Sequence, residues 1–490
     1  MSRMPLALLA LVLSFACKDE DTGGAPEADA DTDTDADSDT DADADTDADA
    51  DTDADADTDA DTDVGSCEDA VPCAGDYEIE DEGGLEAIAA CRSISGELRF
   101  FELGWLTDID LPCLDSTTGH LLFVTNESLA TIGMPGLTSV GGYLELWESH
   151  SLTDLDGLSS LESVGGLLAL VGNDSLASIR GLSSLESVGG LDIRSNPLLT
   201  NLDGLSGLKS AGEYPFYIWY SDGLTTLEGL SSLQTVGGNM GIWHNSSLTT
   251  LEGLSSLETV GGYLGVYDNP SLTAVVGLPC LDAVEGELSI GNNPSLSAVE
   301  LPQVSRLHLL QIEGSSSLTS LSLPSLASVD DNLEISDSGL TSLEGLSSLQ
   351  AVGGSLNLQN NPSLARLGLS SLEAVAGDLD LRYNNALASL DGQQNLTSVG
   401  HSLVVLDADA LTSLHGLENL TSVGHNLYIG HNDALTSLDG LENISSVGAT
   451  LTIHHNDSLC QSEAEAFAAS IAVGGSVYVS DNGAARSDCE

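Results

Sequence analysis

The stretch GGYLELWESHSLTDLDGLSSLESV (residues 141–164) runs directly into GGLLALVGNDSLASIRGLSSLESV (165–188). Aligned, the two keep every apolar position and both glycine pairs. The same 24-residue unit returns at 237–260 and 424–447, and from about Ser95 onward other copies of 22 to 25 residues fill the chain. A fixed period of this length is the mark of a stack of like layers, so one long repeat domain is expected in place of several globular ones. Leu144 and Leu146 flank Glu145, which is the period of a strand with its leucines turned inward. Each copy reads as one coil with three short apolar segments, L-x-L, L-T-x-L and L-x-x-L-x-x-V, broken at Asn, Gly and Gly-Gly corners. Burying about six aliphatic side chains at roughly 1.5–3 kcal/mol each is nearly cancelled by ordering the coil's backbone. A lone coil therefore does not fold, and the expected fold is an all-β solenoid of about 15–16 coils with a cap at each end.

After the first strand of each coil stands Asn126, Asn173, Asn196, Asn245, Asn269, Asn293, Asn361, Asn384, Asn432 or Asn456. A short amide tolerates a tight corner and can bond either the turn backbone or the Asn above and below, so these residues are expected to form a structural ladder. Ser149, Ser221, Ser315, Ser338 and Ala408 occupy the same place, where the ladder should weaken. Asn395, Asn419 and Asn443 begin N-x-S/T triplets that repetition alone would produce.

Outside the repeats the chain is of two other kinds. Residues 1–16 carry Arg3 and an apolar run from Leu6 to Phe15, too short to span a bilayer, and are expected to be a removable export signal. Ser14-Phe15-Ala16-Cys17 resembles the lipobox of bacterial lipoproteins, which implies a lipid on Cys17, anchorage at the outer membrane or cell surface, and no other membrane attachment. Between residues 29 and 63 every odd position is Asp, 18 in all, so residues 17–65 are expected to be a self-repelling, disordered tether. The Asp runs lack the Gly and Glu of a calcium-binding loop. The whole chain has 11 basic against 77 acidic residues and a net charge of -66; setting the 18 tether aspartates aside leaves -48. Such a surface repels nucleic acid and anionic lipid, which argues against nucleic acid and nucleotides as partners.

Cys73, the seventeen residues before Cys91, and the run Cys91-Arg92-Ser93-Ile94-Ser95-Gly96-Glu97-Leu98 resemble the opening of a receptor L domain. The L-x-x-V-G-G-x-L-x-I rhythm, and a Leu three residues after Asn361, extend the resemblance from about Cys67 to the end, although this array is some three times longer than one L domain. The resemblance implies a right-handed single-stranded β-helix related to leucine-rich repeats, a short helical cap at residues 84–90, a bond between Cys73 and Cys91, and a binding role without catalytic residues. On this reading residues 66–94 are the amino-terminal cap, 95–471 the solenoid and 472–490 the carboxyl-terminal cap. A Cys460–Cys489 bond would clamp that last cap; Cys67 either pairs with Cys113, or Cys113 and Cys280, which hold the same place in their Leu-Pro-Cys-Leu-Asp segments, are both buried thiols, and in either case Cys280 is expected to be free.

No zinc, nucleotide or acyl-transfer motif is present, so no cofactor, no metal and no enzyme activity are expected. The carboxylate pairs Asp378/Asp380 and Glu285/Glu287 read as solvated strand faces; a basic residue meeting one in a cleft would argue otherwise. His401 and His425, and His431 and His455, lie one period apart with His454 adjacent. Repetition accounts for such spacing, and no Cys accompanies them.

The outward position following L-x-L reads Phe101, Val124, Trp147, Val171, Arg194, Trp219, Trp243, Tyr267 and Gly291, and holds three of the four Trp. Tyr217, Tyr220, Tyr143, Tyr263 and His244 lie nearby. Cross-strand pairs can simply stabilise a sheet. An aromatic stripe edged by Glu145, Glu148 and Asp268 also suits a glycan or a protein partner, so the expected function is binding at a cell surface, with a spacer as the rival and a polysaccharide-acting enzyme a more distant one.

Overall fold

The computed structural model describes residues 67–483. The chain divides into Met1–Glu68 and Asp69–Glu490. The second unit is an all-β parallel solenoid of about 17 turns. Residues 1–66 and 484–490, with the expected signal, Cys17, the whole tether and Cys489, lie outside the described residues.

Successive L-x-L segments pair in parallel and in register, Leu121 with Leu144, Leu144 with Leu168 and Leu168 with Leu191. One period therefore advances the chain by one strand, and equivalent residues stack in columns. The inward columns form one continuous core from Ile79 to Ala464, built almost wholly of Leu, Ile and Val. Two coils near the start carry Phe100 and Phe123 there instead, stacked at 4.9 Å.

Turn number exceeds the expected 15–16 because the ends are themselves coils. Val71–Cys73 and Tyr77–Ile79 pair with Cys91–Ile94 and Leu98–Phe101, and Val477–Ser480 pairs with Leu451–His454. The amino-terminal helix runs Glu82–Ile88, earlier than residues 84–90, because the Asp81 carboxylate caps it by accepting from the Gly84 N–H at 3.0 Å. A second helix, Gln461–Ser470, occupies what was expected to be solenoid coil. Its QSEAEAFAAS sequence has strong helix formers where other coils have Gly and Leu, and the Glu463 carboxylate accepts from the Leu438 N–H of the coil before.

The segments Asp156–Leu158, Arg180–Leu182 and Glu252–Leu254 each form a single 3-10 turn. Their glycine is a matter of space. A Cβ on Gly181 would lie 1.7 Å from the Leu155 carbonyl oxygen, and one on Gly253 would lie 1.8 Å from that of Leu227.

The Asn column is fully buried, and its hydrogen bonds go to backbone more than to neighbouring amides. Asn245 Oδ1 accepts from the Ser221 N–H at 3.1 Å, and its Nδ2 donates to the Ile218 carbonyl at 2.9 Å, both in the preceding coil. Asn173, Asn269, Asn361, Asn432 and Asn456 repeat the pattern. Asn482 extends it to the last turn. The residue before this column, whether Asn or Ser follows, takes left-handed backbone, as at Glu148 (φ 51°), Tyr220 (φ 49°) and His455 (φ 53°), a conformation that ordinary side chains resist. Where Ser replaces Asn, the Ser149 and Ser221 hydroxyls are buried without a hydrogen-bond partner.

Asn395, Asn419 and Asn443 form a second ladder. Each Nδ2 donates to a carbonyl of the previous coil, at 2.7, 2.6 and 2.6 Å. In earlier coils the hydroxyls of Ser184 and Ser256 do the same work at 2.7 Å.

Cys73 and Cys91 are bonded, with their Cα atoms 5.6 Å apart. Cys67, Cys113 and Cys460 are disulfide-bonded as well. So is Cys280, which corrects the expectation of a free thiol there. Leu278 and Leu281 fill the core positions of that segment, leaving half-buried Cys280 on the outer turn where its sulfur is reachable.

Candidate ligand-binding face

Strand register brings the outward aromatic column together as one row. Phe101 pairs with Val124, Val124 with Trp147, Trp147 with Val171, Val171 with Arg194, Arg194 with Trp219, Trp219 with Trp243, Trp243 with Tyr267 and Tyr267 with Gly291. Phe101 stands apart from the rings because Val124 intervenes. The column is half-buried, since its members lie against one another and against the sheet.

Arg194 holds the first part of the patch together. Its guanidinium lies 5.5 Å from the Trp147 ring centre and 4.9 Å from that of Trp219. Trp219 Nε1 donates to Asp192 Oδ1 at 2.9 Å. Burial pushes the Asp192 carboxyl above its ordinary range, opposed by the Trp219 hydrogen bond and the Arg194 charge. Glu145, on the same outward row, is also pushed up by burial; His120 opposes this and Asp192 adds to it.

Trp243 is the centre of the second part. Trp219 meets it edge-on at 6.3 Å, Tyr217 packs at 4.7 Å and Tyr263 lies nearly parallel at 6.1 Å. The Tyr263 hydroxyl donates to the Tyr217 hydroxyl at 3.1 Å, and burial raises the Tyr263 phenol well above its usual range. Tyr267 shares a hydrogen bond with the Ser289 hydroxyl. Between these rings, the middle row of the sheet drops to glycine at Gly241 and Gly265. A Cβ on Gly241 would meet the Trp243 ring at 2.2 Å, and one on Gly265 would lie 3.1 Å from Trp243 Nε1. The indole therefore lies back over bare backbone.

The margin is more open. Tyr220 is 49% exposed and stacks on His244 at 4.5 Å, while His244 faces Asp268 at 3.8 Å. Tyr143 meets Tyr214 edge-on at 5.6 Å. Tyr214 was not anticipated from the sequence; the extra residue before Pro215 in its coil was the available sign. Trp105, the remaining Trp, lies outside this row in the turn after Leu98–Phe101 and is exposed. Later coils replace the aromatics by Gly291, Glu313, Leu406, Gly430 and His454.

A basic residue does meet carboxylates in a groove elsewhere. Asp282, Glu285, Arg306, His308 and Asp330 line an open depression of about 400 Å³. Arg306 grips Asp330 through Nε at 2.8 and 3.0 Å and through its terminal nitrogen at 2.8 Å, and the Arg306 hydrogen bond holds the Asp330 carboxyl below its ordinary range. A carboxylate kept ionised in this way is a poor proton donor. Asp380 is not a solvated strand residue as expected: it is buried and ion-paired with Arg382, whose Nε lies 2.9 Å from Oδ1. Among the described residues, no helix is long and apolar enough to cross a membrane.

Neither a family model nor a curated protein matches the sequence. Among solved structures, the chain is similar to a complex titled TLR13–ssRNA13, at 15% identity, with 79% of this chain and 70% of that one covered and a TM-score of 0.22. A leucine-rich repeat protein from Bacteroides ovatus matches at 13% identity over 72% of this chain and 82% of its own, with a TM-score of 0.19. These neighbours are repeat proteins; at such scores they carry nothing about ligand or role.

Proposed function

We propose that this protein is a non-catalytic binding protein of the cell surface, and that its aromatic sheet face takes a carbohydrate ligand. The observation that carries this reading is the Trp243 indole laid over Gly241 and Gly265. A ring held flat offers a platform for the apolar face of a sugar, and carboxylates on the same sheet face accept its hydroxyls. Asp192 and Glu145 supply such acceptors, already partly desolvated.

One feature favours the rival role of a structural spacer: the Arg194 guanidinium bridges Trp147 and Trp219, and ring contacts continue from Trp219 through Trp243 to Tyr263. A glycan array and a whole-cell pull-down, run with the wild type and the combined Trp147→Ala, Trp219→Ala, Trp243→Ala variant after both are verified as folded, separate the two. Binding lost in the variant supports the platform. Equal binding sinks it, and capture of protein alone moves the reading to a protein partner.

Export and lipid attachment at Cys17 belong to the same reading and rest on the sequence alone. Mass spectrometry of the native amino terminus tests them; an unmodified terminus elsewhere removes the anchor.

A further inference from the structure

The spacing of His431, His454 and His455 along the chain suggests nothing beyond repetition, yet the fold gathers all three at one corner. One ring nitrogen from each lies within 4.8 Å of the others. The His431 and His455 rings stack nearly parallel at 4.8 Å, with His454 perpendicular to both at 5.0 Å. Nδ1 of His454 and Nδ1 of His455 face each other at 2.8 Å.

Duplication of a repeat accounts for His431 and His455, which share the left-handed position before the Asn column, with φ of 53° in both. It does not account for His454. In register with His454 on the previous coil is Gly430. A Cβ there would lie 2.9 Å from His454 Nε2, so the glycine leaves the space in which the third imidazole reaches toward His431. Along the left-handed column the order is Asp407, His431, His455, Asp481, which puts a carboxylate one coil to either side of the pair.

We propose that His431, His454 and His455 form a binding site for one divalent transition-metal ion of the zinc class, with Asp407, Asp481 or water completing the shell. Imidazole nitrogens suit zinc, copper(II) and nickel(II), whereas calcium and magnesium prefer oxygen. Tetrahedral zinc with bonds of about 2.0–2.1 Å sets nitrogens roughly 3.3 Å apart. One pair of nitrogens is already at 2.8 Å, and all three residues offer a nitrogen within 4.8 Å of the others. This site is independent of the aromatic face.

The test is calorimetric titration of metal-stripped protein with zinc chloride in excess calcium, which occupies the acidic surface. Wild type is expected to take up one zinc, His454→Ala to lose at least about tenfold in affinity, and His425→Ala, whose ring is outside the cluster, to match wild type. Copper(II) paramagnetic resonance supplies a second readout: nitrogen hyperfine structure in wild type and its reduction in His454→Ala. No stoichiometric zinc uptake, uptake abolished by calcium, or equal uptake by His454→Ala overturns the proposal. Thermal melts of the variants establish that they are folded.

Discussion

The coils from Trp147 to Tyr267 and those from Leu403 to Ser480 share one backbone plan and differ in what faces outward. Both stack leucines in register, both put a left-handed residue before a buried polar corner, and both close that corner with Asn donating to the coil before. Outward, the first region carries interlocked rings and desolvated carboxylates, and the second carries Val404, Tyr428 and a knot of imidazoles. In each, one glycine on a neighbouring position lets a ring lie down: Gly241 under Trp243 and Gly430 beside His454. The inward columns and the Asn ladder hold the solenoid together, so the outward columns are free to diverge.

The largest expected effect concerns what the two regions share. Asn245→Ala and Asn432→Ala each leave a buried N–H without its acceptor, that of Ser221 or of Ala408, and remove one donor from the Ile218 or Val405 carbonyl. Each orphaned group costs about 1–3 kcal/mol. Denaturant melts should show comparable losses in both variants, with faster amide exchange confined to the neighbouring coils. A loss in only one region would break the claim of a common frame.

Next come the two ring-seating glycines. Gly241→Ala puts a methyl group where the Trp243 ring lies and should cost roughly 1–3 kcal/mol, with a changed near-ultraviolet dichroism of Trp. Gly430→Ala meets the His454 ring at 2.9 Å and the His454 carbonyl oxygen at 3.0 Å, longer contacts than the 2.2 Å at Gly241, and should cost less, while weakening zinc uptake. Equal stability losses would show that the two seats are not different in kind.

A smaller gain is expected from Ser221→Asn. It gives the buried, unpartnered hydroxyl position the amide used by the coils around it, and should stabilise by about 1 kcal/mol in thermal or denaturant melts. The corresponding change at Ser149 should act alike.

Smallest is a pH effect limited to the aromatic region. Burial raises the Glu145 carboxyl in the folded chain, so the folded state gives up its proton less readily than the unfolded one. Stability is therefore lost as pH rises through the folded value. Glu145→Gln should be more stable than wild type at neutral pH, and the gap should close below about pH 4. A gap independent of pH would assign the effect to packing.

The sequence alone specifies the solenoid, because a 24-residue period with Leu at alternate positions has few other ways to bury its leucines. It also determined which residues share a column, since in-register stacking converts sequence separation into adjacency, as from Trp219 to Trp243. What it left open depended on distances across columns. Asn is equally suited to bonding its own kind or the backbone, and only the corner geometry showed the carbonyl of the preceding coil to be the main partner. Cys280 looked like a core residue until Leu278 and Leu281 took the core positions. The Gln461–Ser470 helix was hidden because Ala fits a coil or a helix, and the end of the stack decided between them. His454 joins His431 through a glycine on another strand, a contact made by space that a neighbouring side chain does not fill, and no spacing along the chain records it.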